Sequence, residues 1–72
     1  NPASNIVTLN WLNPVNKDAE VKILNNLGQL IYSGSWENNK EWQLDVQSWS
    51  NGLYFIHVYC NGSHEFLKFI KQ

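Results

Sequence analysis

Leu53-Tyr54-Phe55-Ile56-His57-Val58-Tyr59-Cys60-Asn61-Gly62-Ser63-His64-Glu65-Phe66-Leu67-Lys68-Phe69-Ile70 reads as two β-strands joined by a two-residue turn. Asn-Gly is the preferred pair for a type I′ hairpin, because both central residues take φ > 0, which Gly adopts freely and Asn tolerates. A turn at Asn61-Gly62 fixes the register. Cys60 then opposes Ser63, Tyr59 His64, Val58 Glu65, His57 Phe66, Ile56 Leu67, Phe55 Lys68, Tyr54 Phe69 and Leu53 Ile70. Side chains alternate between the two faces of a strand, so Tyr54, Ile56, Val58, Leu67 and Phe69 gather on one face, the expected core. The other face carries Leu53, Phe55, His57, Phe66 and Ile70 among polar neighbours. That is more apolar than a solvated surface requires, so this face is expected to be partly covered by a loop or to meet a partner.

The same pattern extends towards the N-terminus. Short runs rich in Val, Ile, Leu and aromatics end in Asn, Gly, Ser or Pro, and no segment sustains a helical period. Strands are expected at Ile6 to Leu12, Ala19 to Leu24, Gln29 to Trp36 and Glu41 to Val46, ahead of Leu53 to Cys60 and Ser63 to Ile70. Alternation adds Val7, Leu9 and Trp11, then Ala19, Val21 and Ile23, then Trp42, Leu44 and Val46 to the core. Asn25-Asn26-Leu27-Gly28 reads as a tight connection with Gly28 at positive φ, and Glu37-Asn38-Asn39-Lys40 as a solvated turn. The expected fold is an all-β antiparallel sandwich of six to seven short strands.

Composition bounds what such a domain does. Seventy-two residues make one domain, and a chain of this size buries only about 60% of the surface its unfolded form exposes. Hydrophobic residues at 43%, with 14% aromatic, still suffice for a core, since each aromatic buries a large area. Five Lys, no Arg and a formal charge of −1 leave no cationic cluster for a phosphate backbone, so nucleic acid is not an expected partner. No apolar run approaches the roughly twenty residues that span a bilayer as a helix, so direct membrane insertion is not expected either. Cys60 is the only cysteine and excludes an internal disulfide. A free thiol fits an exported chain only if it is buried. The opening Asn1-Pro2, with no Met and no signal peptide, is expected to mark a piece excised from a larger exported protein.

No constellation supports catalysis. A hydrolase needs nucleophile, base and orienting acid in one pocket, and no Ser here sits in a Gly-x-Ser-x-Gly turn. No cofactor is implied. The hairpin register places His57 and His64 on one face, diagonal to each other, with Cys60 pointing the opposite way. Two ligands without a third read as polar residues on a strand surface, so no metal is expected. The four Trp allow a second reading, a carbohydrate-binding or adhesive β-sandwich module appended to a secreted enzyme. Trp11 and Trp42 follow the apolar alternation, which leaves Trp36 and Trp49, at strand ends, as the residues for sugar stacking. Asn61-Gly62-Ser63 has the form of a glycosylation acceptor, but the hairpin turn accounts for it.

Four blocks in order carry a resemblance: the opening Asn1-Pro2-Ala3-Ser4; Val21-Lys22-Ile23-Leu24-Asn25-Asn26-Leu27-Gly28-Gln29-Leu30-Ile31-Tyr32-Ser33-Gly34; Ser50-Asn51-Gly52-Leu53-Tyr54-Phe55-Ile56; and the closing Phe66-Leu67-Lys68-Phe69-Ile70-Lys71-Gln72. Over nearly its whole length the chain resembles the type A C-terminal sorting domain of type IX secretion cargo from Bacteroidetes. The resemblance implies an immunoglobulin-like sandwich acting as a non-catalytic address label over residues 1–72. It further implies periplasmic transit, recognition by an outer-membrane translocon and its shuttle protein, and in some cargo a surface sortase, with the linked passenger ending at the cell surface or in the medium. Carried onto this sequence, Asn1, Pro2, Leu27, Gly28, Asn51, Gly52 and Tyr54 match the family's motif turns, and Lys68, Phe69, Ile70, Lys71 and Gln72 its recognition segment. Gly28 and Gly52 are also explained by turn geometry alone, and Tyr54 by core packing with a hydroxyl bond back to the preceding loop.

Overall fold

The structure, a computed structural model, describes residues 5–9, 18–37 and 41–72, together with the backbone of residues 2–3. Seven strands follow in order: β1 (Pro2–Ala3), β2 (Ile6–Leu9), β3 (Ala19–Asn25), β4 (Leu30–Trp36), β5 (Trp42–Asp45), β6 (Gly52–Cys60) and β7 (Ser63–Lys71). They form a five-stranded sheet in the order β1-β7-β6-β3-β4 and a two-stranded sheet of β2 and β5. All pairings are antiparallel except that of β1 with β7. This is the all-β, sandwich-like architecture expected, compatible with an immunoglobulin-like arrangement. Trp11, expected in the core, and Asn38, Asn39 and Lys40 of the expected turn lie outside the described residues.

The terminal hairpin takes the register deduced from Asn61-Gly62, from Cys60 opposite Ser63 to Leu53 opposite Ile70, and extends one pair further to Gly52 and Lys71. Asn61 at φ 51° and Gly62 at φ 85° supply the two positive dihedrals of a type I′ turn. The β3–β4 turn is built differently. The Asn25 side-chain oxygen accepts from the backbone N–H of Leu27 and of Gln29, at 2.9 and 3.0 Å, while its amide donates to the Gln29 side chain at 2.7 Å. One asparagine thus replaces the backbone partners that the turn lacks. Gly28, at φ 81°, closes it, as expected.

Between the sheets lies one core. Val21 and Ile23 of β3, Ile56 and Val58 of β6, and Val46 after β5 are almost wholly buried. Val7, Ala19, Trp42, Tyr54 and Phe69 join them, and Leu9 and Leu44 pack against the cluster. Every described residue of the expected core is therefore in it or against it except Leu67, which lies on the core face but is 40% exposed. Cys60 is buried, its Sγ 3.6 Å from the Asp18 carbonyl oxygen, which meets the condition an exported chain places on a free thiol.

Two aromatic arrangements tie the layers together. Tyr54 stacks on Phe69 at 5.2 Å with Trp49 against both, and the Tyr54 hydroxyl donates to the Ser50 carbonyl at 2.7 Å. The expected bond back to the preceding loop is present. Replacing Tyr54 by Phe keeps the stack and leaves only the Ser50 carbonyl without this donor, so a loss of about 1 kcal/mol is expected in urea denaturation. On the other side, Tyr32 of β4 meets Trp42 of β5 edge-on, with centroids 5.9 Å apart. The Tyr32 ring lies across Gly34, where an added Cβ would collide with the ring and its hydroxyl. Gly34→Ala must push Tyr32 off Trp42, and a destabilisation of about 1–3 kcal/mol is expected, with loss of near-ultraviolet dichroism from the displaced rings.

Candidate functional site: the terminal strand and the outer sheet face

Alternation sorts the terminal segment into two sets. Lys68, Ile70 and Gln72 are exposed, whereas Phe69 and Lys71 are buried. The sequence reading grouped all five as one recognition segment, and here it needs correction. Phe69 fills the core, and Lys71, only 7% exposed, shares its face, with Nζ donating to the Gln72 carbonyl oxygen at 3.1 Å. The cause is the two-residue period of a strand. Residues 69 and 71 point to the same side, opposite Tyr54 and Gly52, and the missing side chain at Gly52 leaves room across the pair. A partner approaching from outside meets Lys68, Ile70 and Gln72.

The strand's border is also partly occupied. β1 pairs in parallel with the end of β7, Pro2 beside Ile70 and Ala3 beside Lys71. Among the described residues, the remainder of β7 has no neighbour on that side, and a row of unpaired backbone groups of this kind accepts an added strand.

The outer face of the large sheet can be read in rows. Ser35, Glu20, Tyr59 and His64 lie across one row, Ser33, Lys22, His57 and Phe66 across the next, then Leu30, Leu24, Phe55 and Lys68, and last Leu53 and Ile70. The small sheet does not cover it. Phe66 is 75% exposed, and Phe55, Tyr59 and Ile70 are also exposed, so the apolar second face expected from the hairpin is open.

Of the residues matching the motif turns, Leu27, Gly28 and Asn51 lie in turns or bends, while Gly52 and Tyr54 lie at the start of β6. Leu27 is exposed at the tip of the β3–β4 turn, and Asn51 is exposed just ahead of Gly52, which opens β6 at φ 146°. Pro2 lies in β1, while Asn1 falls outside the described residues. Asn25 belongs to the tight connection read from the sequence, and its side-chain bonds add what that reading lacks, although an Asn two residues before Leu27 is the signal for them.

Trp36 and Trp49 do not form a platform. Trp36, expected to be exposed at a strand end, is 5% exposed. It shares a face with Tyr32 and Gly34 and closes the core beside Ala19, its partner across the β3–β4 ladder. Trp49 is half-buried against Tyr54 and Phe69. The rings assigned to sugar stacking are thus spent on the interior.

A two-sheet domain with Trp36, Trp42, Tyr54 and Phe69 in its core, and with a strand border and one face of mixed polar and apolar side chains exposed, has the form of a small recognition module. The family follows from comparison: residues 1–72 match the model of the secretion system C-terminal sorting domain, and the chain belongs to that family. No curated protein matches it. The domain is therefore a C-terminal sorting signal of type IX secretion, a system the family places in Bacteroidetes, and it directs an attached passenger to the cell surface or the medium. It engages the type IX machinery and is non-catalytic in itself.

Proposed function

We propose that residues 1–72 form the detachable address of a larger exported protein, read along the open side of β7. In this reading the passenger crosses the periplasm, and a shuttle protein and the outer-membrane translocon bind the folded domain. A surface sortase then removes it in cargo that is to be anchored. Any catalysis belongs to the passenger. The observation that carries the reading is the family match together with the outward set Lys68, Ile70 and Gln72, which runs from the stretch of β7 left unpaired among the described residues into the part bordered by β1. Main-chain pairing along that border would supply affinity, and the alternate outward side chains would supply selectivity. Leu27, Gly28, Asn51, Gly52 and Tyr54 serve this function indirectly, by holding the turns that set the hairpin's position.

Lys68→Glu and Ile70→Glu change only exposed positions, so each variant should remain folded by circular dichroism. A secreted reporter carrying either is expected to accumulate inside the cell at the expense of the medium. Export at the unmodified level with both changes combined would refute reading along this side of β7.

A further inference from the structure

Among the described titratable groups, the outer face brings two imidazoles to a single point. His57 lies on β6 and His64 on β7, diagonal across the hairpin, and His57 Nε2 stands 2.8 Å from His64 Nδ1. The rings are parallel within 6° with centroids 5.0 Å apart. At that centroid distance so short a nitrogen separation is an in-line N–H···N hydrogen bond, in which one ring donates to the in-plane lone pair of the other. Phe66 stacks on His57 at 4.7 Å and 5°, and Tyr59 leans on His64 at 4.7 Å, so both rings are braced. Glu20, Lys22 and Tyr59 line the same shallow depression.

We propose that His57 and His64 form a bidentate site for a borderline divalent transition ion such as Zn²⁺, Ni²⁺ or Cu²⁺. Two nitrogens each about 2.05 Å from a tetrahedral ion lie roughly 3.3 Å apart, so the rings must part by about 0.5 Å and each turn by roughly 35° to aim at one ion, which displaces the proton held between them to water. His57 binds through Nε2 with its proton on Nδ1, and His64 through Nδ1 with its proton on Nε2. Among the described residues no third His, Cys, Asp or Glu completes a protein cage, so water fills the remaining positions. The charged groups facing the pair are the Glu20 carboxylate, which favours a cation, and the Lys22 ammonium, which opposes it. Imidazole pairs select these ions over Mg²⁺ and Ca²⁺, which require oxygen donors.

The test is titration of the intact chain with Ni²⁺ and Zn²⁺ by calorimetry, with Mg²⁺ as control and with His57→Ala, His64→Ala and the double variant alongside. Imidazole nitrogen resonances of the unmodified protein provide a second readout. Both variants alter the exposed face, and circular dichroism reports their fold. One equivalent of Ni²⁺ should bind with no heat from Mg²⁺, either single substitution should weaken it by about tenfold or more, and the shifted nitrogens should be His57 Nε2 and His64 Nδ1. Ni²⁺ binding equally well to the folded double variant, or leaving both of those nitrogens unmoved, would overturn the proposal.

Discussion

Ile56→Ala is expected to remove about 2–5 kcal/mol, a large share of the stability of so small a chain. Ile56 lies at the centre of β6, which is paired on both sides, with Ile23 opposite on β3 and Leu67 opposite on β7, and it is almost wholly buried. Truncation to Ala loses the transfer free energy of the deleted carbons and leaves a cavity between two sheets that cannot collapse without breaking the ladders. For 72 residues the whole stability is only about 4–11 kcal/mol. Urea unfolding followed by Trp fluorescence checks this, with Phe66→Ala as the control. Phe66 is exposed on the outer face, and its truncation should cost under about 1 kcal/mol. Equal losses at the two positions would show that the assignment of inner and outer faces is wrong.

Trp36→Ala is expected to be as severe, at about 3–5 kcal/mol, the range for a large aromatic removed from a core. This substitution separates the two uses of tryptophan that the sequence allows. A sugar-stacking ring must be exposed, and its loss would weaken glycan binding while hardly affecting stability. Trp36 instead ends β4 facing inward, and its loss opens the edge of the core beside Ala19. The urea midpoint of the variant should fall far enough to erase the native baseline, and unmodified protein should show a blue-shifted Trp emission that glycans leave unchanged. A variant as stable as the unmodified chain would place Trp36 on the surface.

Much of this was legible in the residues. Asn61-Gly62 fixed every pair of the terminal hairpin because a two-residue turn admits one register, and period-two alternation then named both faces. The positive φ of Gly28 followed from turn chemistry, and a Tyr54 hydroxyl bond to the preceding loop from the tyrosine-corner pattern, with its Ser50 acceptor supplied by the structure. Three features were missed for physical reasons. β1 is two residues long, begins with Pro and pairs in parallel, so it carries no alternation to detect. Trp36 reads as exposed because it ends its strand, although alternation from Tyr32 through Gly34 points it inward. Lys71 was read by its charge and not by its parity with Phe69, which sets it on the core side, where its long aliphatic stem packs and its amine reaches a carbonyl. The convergence of His57 and His64 was half visible: register gave the diagonal, but only side-chain geometry shows that the two nitrogens meet.

The central claim is that this sandwich is sufficient to send a passenger out through type IX secretion. Its most direct test fuses residues 1–72 to a fluorescent protein carrying a signal peptide, in a type IX competent cell, and measures where fluorescence settles. Fluorescence at the surface or in the medium, lost when the translocon is deleted, is the expected result. A reporter held in the periplasm with the domain intact would contradict it.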